Sequence, residues 1–315
     1  MGPVVGRARG KLLLFGEHAA VYGHPAAGLA LADETAVTMD GPEHSAWGLD
    51  SIPAEDREAV RDALARVEEK LPRLAARGRG AVSIRGGVVR RAGFGSSAAL
   101  CGALSRAALL RAGEDDTDVT RAWELAHHAE RRFHGTPSGV DTGLALLDGT
   151  VILQPRPPAL PAYEVIPAAG VSLVVAAVRR DEACADLVRG LAVRMKAGDR
   201  TVRDAISALG ELSGFACSVL RGGGPGAPRY LGVLADAAMR RLSAVGLGTP
   251  ELDLLLEAAR RAGALGAKLS GAGGGGAFYA VAPDAEAAAV IAGRIKDAAA
   301  DAGVPLLLPP RTVTA

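Results

Sequence analysis

The spacing of apolar and polar residues predicts a mixture of strands and helices in the first half of the chain. Apolar or partly alternating runs predict strands at 11–16, 28–39 and 81–84, and a hairpin-like segment at 146–153. Residues 53–76 place apolar side chains on one face and charges on the other, which predicts one amphipathic helix. One further helix is predicted to begin near Ser96, and another is predicted to span 118–133.

The second half is predicted to begin with a buried strand at 171–178 and to continue mainly as helices. These helices are predicted at 183–196, 201–220, 230–245, 251–262 and 284–302. The helix at 251–262 is predicted to begin with Thr249 as its N-cap and Pro250 at its first position. Residues 304–308 are expected to form a strand that closes a sheet. Four prolines between 155 and 161 indicate a linker, so we expect an N-terminal domain over 1–158 and a C-terminal domain over 159–315.

Composition narrows the classes of protein that fit these elements. A chain of 315 residues, 49% of them hydrophobic, can bury a full core and is long enough for two domains. Its 36 basic and 35 acidic residues leave a net charge of +1, so we expect no nucleic-acid partner and no membrane-surface role. Three widely spaced cysteines favour neither a disulfide framework nor a zinc site, and the apolar run at 12–15 is too short for a signal peptide or a membrane span. We therefore expect a cytoplasmic protein.

The first candidate site is the glycine turn that leads into the helix beginning near Ser96. Gly93 and Gly95 free the backbone to turn tightly, and Ser96 or Ser97 stands where a helix N-cap is expected. The unpaired N–H groups and positive dipole end of such a helix suit a phosphate, and two hydroxyls there can also ligate Mg²⁺. An ordinary capped turn explains this motif alone equally well.

A second glycine turn, at 134–142, follows the helix predicted at 118–133. Pro137 and Gly139 fix a sharp turn that is expected to hold Ser138 and Asp141 rigidly. An isolated aspartate after a glycine turn is more often a helix cap, so both interpretations of Asp141 stay open at this point.

Four consecutive glycines, 273–276, form the third unusual segment. Such a run costs conformational entropy and indicates that something approaches the backbone closely. The G-x-G-x-x-A pattern at 93–98 also permits a dinucleotide site, but Asp115, about 20 residues further on, lies in a polar turn rather than at the end of a strand. A hydride-transfer enzyme is therefore a poor second interpretation.

Four segments of the chain together carry a family resemblance. They are Gly10–Ala19, Gly93–Ala99, His134–Asp141 and Gly266–Gly276. In their order and spacing, across nearly the whole chain, they resemble the GHMP kinases, and most closely the mevalonate kinases among them. The resemblance implies an α+β, two-domain GHMP-kinase fold with the active site in the cleft between the domains. It also implies an ATP- and Mg²⁺-dependent kinase that phosphorylates an alcohol, with mevalonate as the substrate.

Carried over residue by residue, the resemblance implies a site with four parts. Asp141 is the implied base for the substrate hydroxyl, with Lys11 beside it. The implied metal ligands are Ser97 and Glu130. The implied ATP contacts are Gly93, Gly95, Ser96, Ser97, Ala98, Gly273 and Gly274. The implied substrate contacts are Glu17, His18 and Ser138.

The chain departs from the family pattern where contacts between the second domain and the substrate are expected. Glu182 replaces a basic residue and Cys184 stands where threonine is common. Outside those contacts, Thr136 and Thr142 stand where asparagine is usual. Another GHMP kinase acting on phosphomevalonate, homoserine or a sugar therefore stays an alternative, as does a kinase-fold sensor without catalysis. The expected partners are ATP and the small-molecule substrate, with a homodimer as a possible assembly.

Overall fold

The computed structural model describes residues 2–134, 137–167, 170–180 and 184–315, apart from the side chains of residues 42, 43, 134, 184 and 185. Thr136 and Glu182 therefore lie outside the described residues, and the side chain of Cys184 is not described. Within the described part, no helix combines the length and the apolar character that crossing a membrane requires.

Nine strands form two sheets in the described part of the chain. The strands are β1 (Val4–Phe15), β2 (Ala26–His44), β3 (Arg79–Gly86), β4 (Thr150–Arg156), β5 (Ala159–Ile166), β6 (Ser172–Val178), β7 (Gly266–Leu269), β8 (Gly276–Val281) and β9 (Leu306–Thr314). The first sheet has the order β1-β2-β4-β5, with β3 also paired to β2, and the second has the order β7-β8-β6-β9. Every pair in the second sheet is antiparallel, as are β2 with β3, β2 with β4, and β4 with β5.

Ten α-helices accompany these strands over the same described ranges. They are α1 (Ala54–Lys70), α2 (Pro72–Ala76), α3 (Ser96–Ala112), α4 (Val119–His134), α5 (Val140–Leu146), α6 (Cys184–Lys196), α7 (Arg200–Gly222), α8 (Ala227–Ala244), α9 (Pro250–Arg261) and α10 (Ala285–Asp301). Thr249 caps α9 as predicted, because its side chain accepts a hydrogen bond from the Leu252 N–H. The mixture of helices and antiparallel sheets confirms the predicted α+β class.

The chain forms two compact units, and the first comprises Met1–Lys11, Ala30–Val88 and Gly95–Asp148. Its central helix, α3, is buried along most of its length because small apolar residues surround its axis. β1 approaches this helix so closely that a Cβ on Gly6 would lie 2.1 Å from the Ala103 carbonyl oxygen. A glycine at this position therefore allows the backbones of β1 and α3 to pack directly.

The second unit comprises Leu12–Leu29, Val89–Phe94 and Gly149–Ala315. Its core contains β6 and β8, which are buried almost throughout. α8 packs on β7 through a pair of glycines, since a Cβ on Gly266 would lie 1.9 Å from the Gly232 carbonyl oxygen. The domain boundary after residue 158 stays a prediction.

The single helix predicted at 53–76 is wrong, because the structure contains two helices there. Leu71 separates α1 from α2 with φ −133° and ψ 69°, outside the helical region. Pro72 is the cause: its ring pushes the preceding residue out of the helical conformation, and it has no N–H to continue the hydrogen-bond ladder. Proline is tolerated as the first residue of the new helix.

The proline-rich segment interpreted as a linker is a β-hairpin turn. Arg156 of β4 pairs with Ala159 of β5, which leaves Pro157 and Pro158 at the tip. Prolines fit there because the tip donates no ladder hydrogen bond.

The segment after Gly139 also differs from the prediction of an irregular turn, because α5 begins at Val140. At seven residues this helix is too short to show a periodic pattern.

Candidate active site

The candidate phosphate-binding turn ends at Gly95, which is the N-cap of α3. Gly95 has a left-handed φ of 74° and no side chain caps the helix, so the prediction of a serine N-cap is wrong. A Cβ on Gly95 would lie 2.7 Å from Lys11 Cγ, and glycine therefore leaves the room that the lysine stem occupies. Ser96, Ser97 and Ala98 form the first turn, whose N–H groups lack a side-chain cap and suit an anion.

Lys11 and Asp141 lie together in the first unit. The Lys11 Nζ is 3.1 Å from Asp141 Oδ1, with the lysine side chain only 3% exposed and the aspartate side chain 35% exposed. Asp141 occupies the first turn of α5, which begins after Gly139 at a φ of 81°. A buried ammonium group thus faces a carboxylate that a small molecule can reach.

Glu130 lies beside this pair, on the buried face of α4. It is 1% exposed, and burial raises its pKa to about 8. The charge of Asp141 adds to this rise, whereas Lys11 and a hydrogen bond with Thr142 lower the pKa of Glu130. Two neighbouring carboxyl groups of this kind repel one another when both are ionised, and a bound cation relieves that repulsion.

Sequence reasoning missed Trp123, which lies under the Asp141 turn. Its indole Nε1–H donates to the Gly139 carbonyl oxygen at 3.0 Å and to Thr142 Oγ1 at 3.2 Å. A Cβ on Gly143 would lie 2.3 Å from the Trp123 ring, so only glycine fits there. The available signal was spacing, because Trp123 precedes Glu130 by two helical turns and shares its face of α4.

Glu17 belongs to a buried ion pair in the second unit. Its carboxylate accepts a hydrogen bond from Lys268 Nζ, and both side chains are almost completely buried. Lys268 also donates to the Leu14 and Leu269 carbonyl oxygens at 3.1 and 2.8 Å, and its ammonium lies 5.4 Å from the ring centroid of Tyr279. Burial lowers the pKa of Lys268, and Glu17 opposes that shift. This arrangement places Glu17 in the protein interior.

His18 follows Glu17 in a strained backbone conformation. Its φ is 57°, and among the described residues only Arg91 shares a positive φ without being glycine. Burial lowers the pKa of His18 to about 4, and the nearby Lys268 charge acts in the same direction. The ring is therefore neutral at pH 7. Its Nε2 lies 3.1 Å from the Ala272 carbonyl oxygen, which has no hydrogen to donate and so accepts a hydrogen bond from Nε2–H. Residues with positive φ concentrate at functional sites.

The glycine run at 273–276 is required by close packing against protein atoms. A Cβ on Gly273 would lie 2.7 Å from Leu247 Cβ, and one on Gly274 would lie 2.9 Å from Leu187 Cδ1. A Cβ on Gly276 would lie 2.3 Å from Arg180 Nη2, an arginine that sequence reasoning also missed. The same guanidinium group lies near Gly93, whose added Cβ would be 3.3 Å from Arg180 Nη2 and 2.9 Å from the Ala277 nitrogen. Gly93, which begins the candidate phosphate turn, therefore packs closely against Ala277, the residue directly after the run.

Known proteins match this chain over most of its length. The family description "GHMP kinases N terminal domain" matches residues 58–149, and "GHMP kinases C terminal" matches residues 228–301. A mevalonate kinase of Aeropyrum pernix is 32% identical over 293 residues, which cover 85% of each chain. The chain belongs to the GHMP kinase family.

Other proteins similar to this GHMP kinase include mevalonate kinases and a phosphomevalonate kinase. A mevalonate kinase of Thermococcus gammatolerans is 29% identical over 89% of this chain and 90% of its own. The crystal structure of L. major mevalonate kinase in complex with R-mevalonate superposes with a TM-score of 0.74 at 24% identity, covering 94% of this chain and 92% of that one. The Streptococcus pneumoniae phosphomevalonate kinase reaches 0.79 at 18% identity over 99% and 100% of the chains. These likenesses establish a GHMP-kinase fold and a kinase-type phosphotransferase.

The predicted site residues of this GHMP kinase fall into two groups. Lys11, Glu130 and Asp141 lie together in the first unit, where α3 also begins with Ser96 and Ser97. His18 and Glu17 lie in the second unit with Gly273 and Gly274. Ser138 precedes Gly139 in the first unit, and its hydroxyl accepts a hydrogen bond from the Val140 N–H at 3.4 Å.

Proposed function

We propose that this GHMP kinase transfers the γ-phosphoryl group of ATP to the primary hydroxyl of mevalonate. The observation that carries the proposal is the buried Lys11 ammonium held 3.1 Å from the accessible Asp141 carboxylate. Curated relatives of similar length that are named mevalonate kinases support this choice of acceptor.

The Lys11–Asp141 pair supplies the proton chemistry of the proposed transfer. As the substrate oxygen forms a bond to the γ-phosphorus, its O–H bond breaks and Asp141 takes the proton. Lys11 stabilises the negative charge that develops on the same oxygen. The bond between the γ-phosphorus and the β–γ bridging oxygen breaks, and ADP leaves with that electron pair. Positioning and charge stabilisation account for most catalysis in such transfers.

The residues of the first unit fit the phosphates of ATP and a magnesium ion. The uncapped N-terminus of α3, with Ser96, Ser97 and Ala98, suits the phosphate oxygens. The described residues contain no group of three or more His, Cys, Asp and Glu side chains suited to a metal. Mg²⁺ usually binds through one or two carboxylates together with phosphate oxygens and water, so Glu130 and the Ser97 hydroxyl match its preference. When bound, Mg²⁺ neutralises charge on the phosphates.

His18 and Ser138 are the proposed contacts with the substrate. The neutral His18 ring uses its Nε2–H on the Ala272 carbonyl oxygen, so Nδ1 is available as an acceptor for a substrate hydroxyl. The Glu17 side chain is too deeply buried to reach a ligand directly. The proposed role of Glu17 is to stabilise, through its ion pair with Lys268, the turn that contains His18.

An ADP-release assay over several acceptors tests the proposed reaction. Purified protein is incubated with Mg²⁺ and ATP plus mevalonate, phosphomevalonate, homoserine or galactose, with an acceptor-free reaction as the control for ATP hydrolysis. We expect mevalonate to give the highest kcat/KM, by at least about tenfold. A larger kcat/KM for another acceptor would overturn the choice of substrate. Tight nucleotide binding without turnover of any acceptor would favour a non-catalytic sensor.

A further inference from the structure

We infer that Trp123 and Thr142 form a positioning pair that orients the Asp141 carboxylate for the proton transfer. This inference rests on the proposed role of Asp141 and adds two residues that do not touch the substrate themselves. It is carried by the hydrogen bonds and packing around the first turn of α5.

Hydrogen bonds from one side chain reach residues on both sides of Asp141. The Trp123 indole N–H donates to the Gly139 carbonyl oxygen, two residues before Asp141, and to Thr142 Oγ1, one residue after it. The Thr142 hydroxyl in turn approaches the same Gly139 oxygen at 3.2 Å. Together these contacts close a triangle around the backbone that carries Asp141.

The environment of this triangle leaves it little freedom to move. Trp123 is 2% exposed and Thr142 is completely buried. The indole ring packs where a Cβ on Gly143 would lie, which brings α4 and α5 into direct contact. An isolated helix as short as α5 is unstable, so the direction of its first turn depends on such outside contacts. Displacement of a reacting group by about 1 Å can cost about 100-fold in rate.

Two substitutions of Thr142, one that keeps its volume and one that keeps its hydroxyl, distinguish a positioning role from simple core packing. Valine matches the shape of threonine but lacks the hydroxyl, whereas serine keeps the hydroxyl and loses a methyl group. If Thr142 only fills space, Thr142→Val is the better tolerated variant, because serine leaves a cavity where the methyl group was. If its hydroxyl positions Asp141, Thr142→Ser keeps more of kcat than Thr142→Val does.

The test measures kcat, the KM for ATP and the melting temperature of Trp123→Phe, Thr142→Ser and Thr142→Val. We expect Trp123→Phe and Thr142→Val to lower kcat about 10- to 100-fold with little change in the KM for ATP. The matched control is Trp47→Phe, which removes an indole N–H that donates to Glu68 at 3.0 Å. That control is expected to keep kcat within about twofold of the wild type.

A double-mutant cycle with Asp141→Asn provides the decisive comparison. If Trp123 acts through Asp141, Trp123→Phe lowers kcat much less in the Asp141→Asn background than in the wild type. Fully multiplicative losses would overturn the inference, as would an unchanged kcat for Trp123→Phe. If Trp123→Phe fails to fold, a higher kcat for Thr142→Val than for Thr142→Ser would overturn the inference. An Asp141→Asn variant with full activity would instead overturn the proposed role of Asp141 itself.

Discussion

Burial sets the charge of individual residues in and around the candidate site. Burial lowers the pKa of His18 to about 4 and raises the pKa of Glu130 to about 8, so each shift disfavours the charged form. Lys268 follows the same rule, although its ion pair with Glu17 opposes the downward shift in its pKa. The fold therefore keeps a neutral imidazole in the turn where Glu17 and His18 meet the glycine-rich segment.

The lowered pKa of His18 predicts a loss of stability in weak acid. In the unfolded chain His18 takes up a proton near its ordinary pKa of 6.5, whereas in the folded protein it does so only near pH 4. The unfolded state thus binds more protons between these values, and the contribution of His18 to the free energy of unfolding falls by up to about 3 kcal/mol as the pH falls. His18→Asn removes the titration and suits a left-handed backbone.

Denaturant unfolding of His18→Asn and wild type at several pH values between 4 and 7 measures this effect. The variant is expected to lose less stability on acidification than the wild type, with replacement of the exposed His44 by asparagine as the matched control. Equal slopes for His18→Asn and wild type would show that the folded protein protonates His18 as readily as the unfolded chain.

Sequence motifs located single residues well but could not reveal how they are paired. Lys11 and Asp141 are identifiable because each stands in a segment of recognisable pattern. The bond between Trp123 and Thr142 depends on how α5 packs against α4, and no local pattern encodes that geometry. Glu17 and Lys268 are 251 positions apart, so their ion pair follows from the tertiary fold alone.

At the scale of elements, long periodic segments were predictable and short or interrupted ones were not. α4 and α7 to α10 appear close to their predicted bounds because their apolar faces repeat over several turns. α3 begins at Ser96, as predicted. The break at Leu71 was visible in principle, since proline restricts the residue before it. The hairpin of β4 and β5 was hidden because prolines are common both in linkers and in turns.

Replacing each of two helical glycines by alanine is expected to change the free energy of unfolding in opposite directions. Gly232 lies in α8, where an added Cβ would be 2.5 Å from the Leu265 backbone, and Gly293 lies in α10 with no atom within 4 Å of its added Cβ. Gly232→Ala is expected to lower the free energy of unfolding by about 1–3 kcal/mol because backbone atoms must separate. Gly293→Ala is expected to raise it by about 0.5–1 kcal/mol, since alanine favours the helix.

Urea unfolding of the two alanine variants beside the wild type measures both changes. The close approach of Gly232 to the segment before β7 predicts that only this variant is destabilised. A Gly232→Ala variant as stable as Gly293→Ala would mean that the contact between α8 and β7 can accommodate a Cβ without loss of stability.

For the whole molecule, sequence similarity identifies the family, and the fold does not choose the acceptor. The chain superposes on a phosphomevalonate kinase with a TM-score of 0.79 and on a mevalonate kinase with 0.74, so the architecture does not distinguish between acceptors. Function therefore has to be argued from side chains. The buried lysine against an accessible aspartate is the feature that predicts proton removal from an alcohol.

The kcat of Asp141→Asn with mevalonate and ATP is the most direct test of this account. Asparagine preserves the shape of the side chain but cannot accept the substrate proton, so kcat is expected to fall about 10²- to 10⁴-fold. The melting temperature and the affinity for ATP are expected to stay close to those of the wild type, because asparagine serves nearly as well as aspartate near a helix start. A folded Asp141→Asn variant that keeps more than about a tenth of the wild-type kcat would contradict the account.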